Sequence, residues 1–232
     1  MDADPVRWLP GLLHLSDTFY PTGAYAHSFG LEGLTHEGVV SDRASLRQFL
    51  LGSALPSLAH TDMPIAGWAW DAAGDPIDFD RLQELCLLAS ALRGSREPRE
   101  ASEAIGRQRL DLAAVLHGGV ARAFNERAAA AGWPRPACVA AALEGRVLGA
   151  PREAVLVGLV YAAATGIVAA AVKLLRLGQN AVHSLLAEAL GETPRLLAEA
   201  SHIGPESLGS FNPWWDIAAA RHERADFRLF IS

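Results

Sequence analysis

The stretch Ala154-Val-Leu-Val-Gly-Leu-Val-Tyr-Ala-Ala-Ala-Thr-Gly-Ile-Val-Ala-Ala-Ala-Val172 decides how the chain folds, because nineteen residues without a charge reach the nominal length of a membrane span. Seven are Ala, two are Gly, and Tyr161 and Thr165 are polar, so the gain on transfer to lipid is modest. Only Lys173 and Arg176 follow as flanking cations, and no aromatic belt marks the ends. A helix that is apolar all round belongs at the middle of a helical protein. The stretch therefore reads as a buried, Ala-rich central helix, and its small-residue row Gly158, Ala162, Gly166 and Ala170 would let neighbours pack close.

Working outward, the apolar spacing is helical almost everywhere. Trp8 to Leu15 opens the chain. Asp42 caps a helix running to about Ala59 with Leu46, Phe49, Leu50 and Leu58 buried, and a further helix runs from Asp62 or Met63 to Asp71. Phe79 to Leu92, Arg96 to Leu116, Val120 to Ala131 and Ala137 to Leu148 follow, separated by Gly and Pro signals. After Glu153 to Leu175 come Val182 to Leu190 and Pro194 to Ser201. Asn212-Pro213 is an N-cap and N1 pair, so a last helix starts at Pro213 and stops near Arg224. The expectation is an all-α, single-domain helical bundle of about ten helices spanning residues 1–232.

Composition narrows the function. With 50% hydrophobic residues, 232 positions can bury one large core, and a net charge of -6 leaves no basic footprint for nucleic acid or anionic membrane. Lys173 is the single Lys against 19 Arg, and no glycine-rich loop precedes it, so a P-loop nucleotide site is excluded. Cys86 and Cys138 sit in apolar helical surroundings rather than a disulfide framework. The start, Met1-Asp2-Ala3-Asp4-Pro5, lacks the zones of a signal peptide. A cytoplasmic location is expected.

Both ends of the chain carry more than packing asks of them. In Phe19-Tyr-Pro-Thr-Gly-Ala-Tyr-Ala-His-Ser-Phe-Gly-Leu-Glu32, the turn Pro21-Thr22-Gly23 is expected to feed a helix from Ala24 to Glu37, with Tyr25 and Phe29 on one face. Gly30 and Gly33 would give up about 1 kcal/mol each relative to Ala there, so something must approach that backbone closely. At the other end, four of the last eight residues, Ala225 to Ser232, are large and apolar, although chain ends are usually polar. Left in water, each would forgo about 1.5–3 kcal/mol of burial. Residues 225–232 are therefore a docking tail, seated on their own domain or on a partner protein. Arg228 within it must reach water or an acidic group.

Phe19 to Glu32 resembles the N-terminal motif of the urease accessory protein family UreF. Asp216-Ile217-Ala218 through His222-Glu223 to Arg228-Leu229-Phe230-Ile231-Ser232 looks like that family's C-terminus, and Arg96-Glu97-Pro98-Arg99-Glu100-Ala101-Ser102 and Ala171-Val172-Lys173-Leu174 agree in order between them. The resemblance implies a non-enzymatic scaffold that dimerises, joins the accessory protein UreD (also called UreH) and the GTPase UreG, and regulates UreG while nickel is inserted into apo-urease. It places partner contacts at Tyr25, His27, Glu32, Glu97, Arg99, Lys173, Arg221, Glu223, Arg228 and Phe230. No cofactor is held tightly; nickel is handled by the wider complex. Pro98 departs from the family's aliphatic residue and puts the start of its helix in question. Trp214-Trp215 adds apolar surface.

Two other classes remain in play. The eight histidines, His14, His27, His36, His60, His117, His183, His202 and His222, show no i,i+4 pair, and His60-x-Asp62 is the nearest approach to a ligand pair, so a nickel carrier would need ligands converging from separate helices. A helical small-molecule enzyme would need a deep pocket around Tyr25, His27 and Ser28.

Overall fold

In the computed structural model, which describes residues 4–17 and 19–231, helices begin where local chemistry starts them. Met1 to Ala3, which belong to the signal-peptide reading, Thr18, and Ser232 at the tip of the tail lie outside the described residues. Helix α1 (Pro5–Ser16) is capped by the Asp4 carboxylate, which accepts from the Val6 N–H. After a short 3-10 turn, Ala24–Ala26, comes α2 (Leu31–His36). Helix α3 (Arg43–Phe49) opens with a capping box in which Asp42 and Ser45 satisfy each other's backbone. A π-turn, Leu50–Ala54, carries α3 into α4 (Leu55–His60), so the single helix expected from Asp42 to about Ala59 is one rod with a bulge in it.

Helices α5 (Asp62–Ala72), α6 (Phe79–Ala91), α7 (Arg96–Leu116), α8 (Gly119–Ala131) and α9 (Ala137–Leu148) follow. Pro98 falls in the first turn of α7, where a missing N–H costs nothing, and the helix starts at Arg96 despite it. Then come α10 (Arg152–Leu174), α11 (Gln179–Gly191), α12 (Thr193–His202) and α13 (Pro213–His222). No strand occurs among the described residues. The architecture is all-α, as the periodicity indicates.

The core lies where α5 and α9 cross, flanked by α6, α7 and α10. Met63, Ile65, Ala66 and Ala69 of α5 are buried, as is every residue from Cys138 to Gly145 of α9. Helix α10 is the one helix among the described residues long and apolar enough to cross a membrane by length and composition. Its burial is one-sided: Val155, Leu156, Val160, Ala164, Ile167, Val168 and Ala171 face the core, while Val157, Tyr161 and Val172 are exposed.

The N-terminal motif departs from the helix expected over Ala24 to Glu37. Residues 27–30 break it, with Phe29 at φ 55° and Gly30 at φ 79°, so Tyr25 and Phe29 do not share a helical face. A positive φ at Phe costs on the order of 1 kcal/mol or more. The ring offsets this by packing on Gly166 of α10, where any side chain would collide with it.

A candidate docking face built from both ends of the chain

The two glycines of the N-terminal motif explain how the ends meet. A Cβ on Gly30 would strike the Trp215 indole, and one on Gly33 would lie 2.7 Å from the Ala218 carbonyl oxygen. The close approach that these glycines call for is made by α13, the chain's own last helix. Trp215 is wedged between Gly30 and Phe49, its ring edge-on to Phe49 at 5.2 Å.

With α13 seated on α2, His222 near its C-terminus is buried between two carboxylates. Its Nε2 lies 2.9 Å from Glu32 Oε2, and its Nδ1 lies 2.9 Å from Glu97 Oε2 at the start of α7. Glu32 is itself 1% exposed, and it also accepts the backbone N–H of Leu229 at 2.7 Å and of Phe230 at 3.0 Å. Burial alone would raise its pKa. The hydrogen bonds from Leu229, His222 and Phe230, with the His222 charge, outweigh that and hold it below the ordinary carboxylate value.

The other Glu97 oxygen accepts from Arg228 at 2.5 Å. Phe230 is buried with the Lys173 ammonium 5.1 Å from its ring centroid, and Ile231 donates its N–H to the Ala26 carbonyl at 2.8 Å. Two ion pairs flank the assembly, Arg221 with Glu37 and Arg96 with Glu223. Residues 225–231 of the tail thus lie on their own domain.

Of the ten residues expected at partner contacts, Glu32, Glu97, Lys173, Arg228 and Phe230 form this network. Tyr25 and His27 sit on the segment that the tail lies against, and Arg221 and Glu223 carry the flanking ion pairs. Arg99 stands apart, donating to the Arg93 carbonyl beyond α6 at 3.2 Å. His27, Glu32 and Phe230 are buried, so in this conformation they hold the surface together from beneath. Burial lowers the His27 pKa, against the pull of Glu97.

What faces outward is apolar. Tyr25 is 76% exposed, Phe227 74%, Ile231 63% and Leu229 60%, and on α13 Trp214 and Ile217 are exposed as well. Alternation along the tail turns Phe230 in and Leu229 and Ile231 out.

Two features escaped sequence reasoning. His222 belongs at the centre of the site, yet its carboxylate partners lie 190 and 125 positions away and leave no local trace. A second buried network ties the N-terminal segment to the core: Glu144 of α9 accepts from the Tyr20 hydroxyl at 2.9 Å and from Arg109 Nε of α7 at 2.6 Å. A lone acid after the apolar run Ala137 to Leu143 was the available signal.

Among the described residues, no three or more His, Cys, Asp or Glu side chains are grouped to hold a metal ion. The His60-x-Asp62 pair is split, with Asp62 accepting two bonds from Arg93 and His60 Nε2 4.0 Å from Glu199. Two surface clefts, of about 380 Å³ beside Phe79 and Arg127 and about 540 Å³ beside Arg47 and Glu192, do not include Tyr25, His27 or Ser28.

A family model described as UreF matches residues 40–190. The urease accessory protein UreF of Arthrobacter sp. (strain FB24) is 32% identical over 95% of this chain and 96% of its own length. That of Paenarthrobacter aurescens (strain TC1) is 30% identical over the same shares. The bifunctional urease accessory protein UreEF of Bordetella bronchiseptica is 34% identical over 97% of this chain and 52% of its own. These likenesses are all to urease accessory proteins. Within that class, the chain belongs to the UreF family.

Proposed function

We propose that this chain takes part in urease maturation as a non-catalytic scaffold. Its joined ends dock a UreD-type accessory protein and the GTPase UreG, so that GTP hydrolysis is coupled to nickel insertion into apo-urease. The observation that carries this reading is the pairing of a hydrogen-bonded underside with a greasy top: Glu32, His222, Glu97 and Phe230 are joined beneath, while Tyr25, Phe227, Leu229 and Ile231 stand in solvent. Large aromatic and aliphatic side chains held in place at a surface are what partner hot spots are made of. Regulation of a GTPase needs only unequal affinity for its nucleotide states, and no catalytic group of this chain enters that scheme.

The fused UreEF relative supports the same reading, since a UreF-like segment there is covalently part of a larger accessory protein. Homodimerisation and a cytoplasmic setting belong to the proposal. Nickel passes through the complex as cargo without a tight site here, and stoichiometric nickel uptake by the purified chain in equilibrium dialysis would favour the carrier reading instead.

The test is co-expression with the neighbouring accessory proteins. The triple variant Tyr25→Ser, Phe227→Ser, Ile231→Ser should keep its helical circular dichroism and lose co-purification and urease activation. Unchanged co-purification would refute the docking face.

A further inference from the structure

We propose that His222 is the pin of a proton-dependent latch that seats residues 225–231 on the body of the protein. The argument is one of donors and acceptors. An ionised carboxylate only accepts, and a neutral imidazole has one N–H and one bare lone pair. Both His222 nitrogens nevertheless stand 2.9 Å from carboxylate oxygens. With both carboxylates ionised, only the doubly protonated ring makes both contacts at once.

The charges agree with this. Glu32 and Glu97 bring two negative charges, Arg228 one positive, and an imidazolium closes the balance at zero. The other charged or titratable groups facing the ring do not replace it. On α2, His36 stacks on His222 at 6.1 Å between centroids and stands 3.9 Å from Glu32. His27, ahead of α2, is buried, and burial disfavours its charged form. Lys173 of α10 is placed on the Phe230 ring. Arg96, Arg221 and Glu223 are engaged in the flanking ion pairs.

Removing the proton sets a ring lone pair against one of the two carboxylates that hold the tail. Glu32 grips Leu229 and Phe230, and Glu97 grips Arg228, so either displacement loosens residues 225–231. The docked tail binds one more proton than the free tail, and rising pH therefore favours release. The latch controls the same face as the docking reading and rests on it for its biological meaning. It is tested on the isolated chain, so either can fail alone.

The experiment is nitrogen-15 NMR of the full chain with labelled histidine and backbone, from about pH 6 to about pH 8.5. At the low end both His222 ring nitrogens should carry protons, and the Leu229 and Phe230 amide resonances should move with the ring as it titrates. Trypsin cleavage after Arg224 and Arg228, normalised to a free peptide of residues 220–231, should rise about tenfold or more over the same range. In His222→Gln the normalised cleavage should be independent of pH. A singly protonated His222 at about pH 6 with both amides still bonded, or amides that stay still while the ring titrates, would overturn the latch.

Discussion

Replacing Glu32 by Gln keeps the shape of the side chain and removes its charge, which isolates what that charge holds. In the native site Oε1 receives the Leu229 N–H, while Oε2 receives the His222 ring and the Phe230 N–H. A glutamine has one oxygen and one NH₂, so one end must present donors to a donor. The cheaper orientation puts oxygen at the Oε2 position and leaves the Leu229 N–H facing the amide. Hydrogen bonds to a charged group contribute about 1.5–3 kcal/mol each. Losing one, and weakening two by neutralising their acceptor, gives an expected loss of about 3 kcal/mol. Urea denaturation at neutral pH, followed by far-UV circular dichroism, measures this against Glu100→Gln as a control for charge removal in α7. Enhanced trypsin cleavage after Arg228 should accompany the loss. A Glu32→Gln protein within about 0.5 kcal/mol of wild type, with its tail still protected, would show that the buried carboxylate is not what seats the tail.

Three further outcomes follow from the same geometry. Because hydrogen bonding holds the Glu32 pKa below its usual value of 4.5, its contribution is lost on the acid side as the pH falls through the lowered value; acid titration of wild type against Glu32→Gln from about pH 6 downward should show a stability difference that begins to shrink below about pH 4.5. Gly33→Ala should destabilise by about 1–2 kcal/mol in thermal or urea melts, since overpacking against the Ala218 carbonyl exceeds the roughly 1 kcal/mol that Ala gains as a helix former, and a stabilised variant would mean that α13 is not packed there. Burial pushes the Cys86 thiol up to about 12 and the Cys138 thiol well above its ordinary value, so neither should react with a thiol reagent in the folded chain at pH near 8, where an accessible Cys reacts; prompt native labelling of either would contradict its burial.

Much of the body was legible because its signals are local. The Asp42 cap, Pro213 at the start of α13, and the Gly and Pro breaks around α7, α8 and α9 each lie within a few residues of the boundary that they set. The 27–30 break was not legible, because it is decided from outside. Phe29 turns to place its ring on Gly166, and Gly30 yields to Trp215, contacts that no window of helical spacing contains. The bulge at Leu50–Ala54 shifts the row of apolar residues that the spacing predicts, so that beyond it Leu55 and Ala59 are buried while Leu58, expected in that row, is only partly so.

At the candidate site, the glycines announced a close neighbour and the apolar tail announced a seat. That each is the other's answer emerges only when α2 and α13 meet. The charges on Glu32, Glu97 and Arg228 carried no sequence sign of being mutual partners. Nor did the 3.6-residue spacing distinguish α10, apolar on all sides but half-exposed, from α9, which is buried along most of its length.

Hydrogen–deuterium exchange of the full chain, alone and mixed with a UreD-type accessory protein and UreG, tests whether the proposed partners dock on the joined ends. New protection is predicted over residues 19–31 and 225–231 in the presence of partners. Protection confined to other helices, with both ends of the chain exchanging as they do alone, would contradict it.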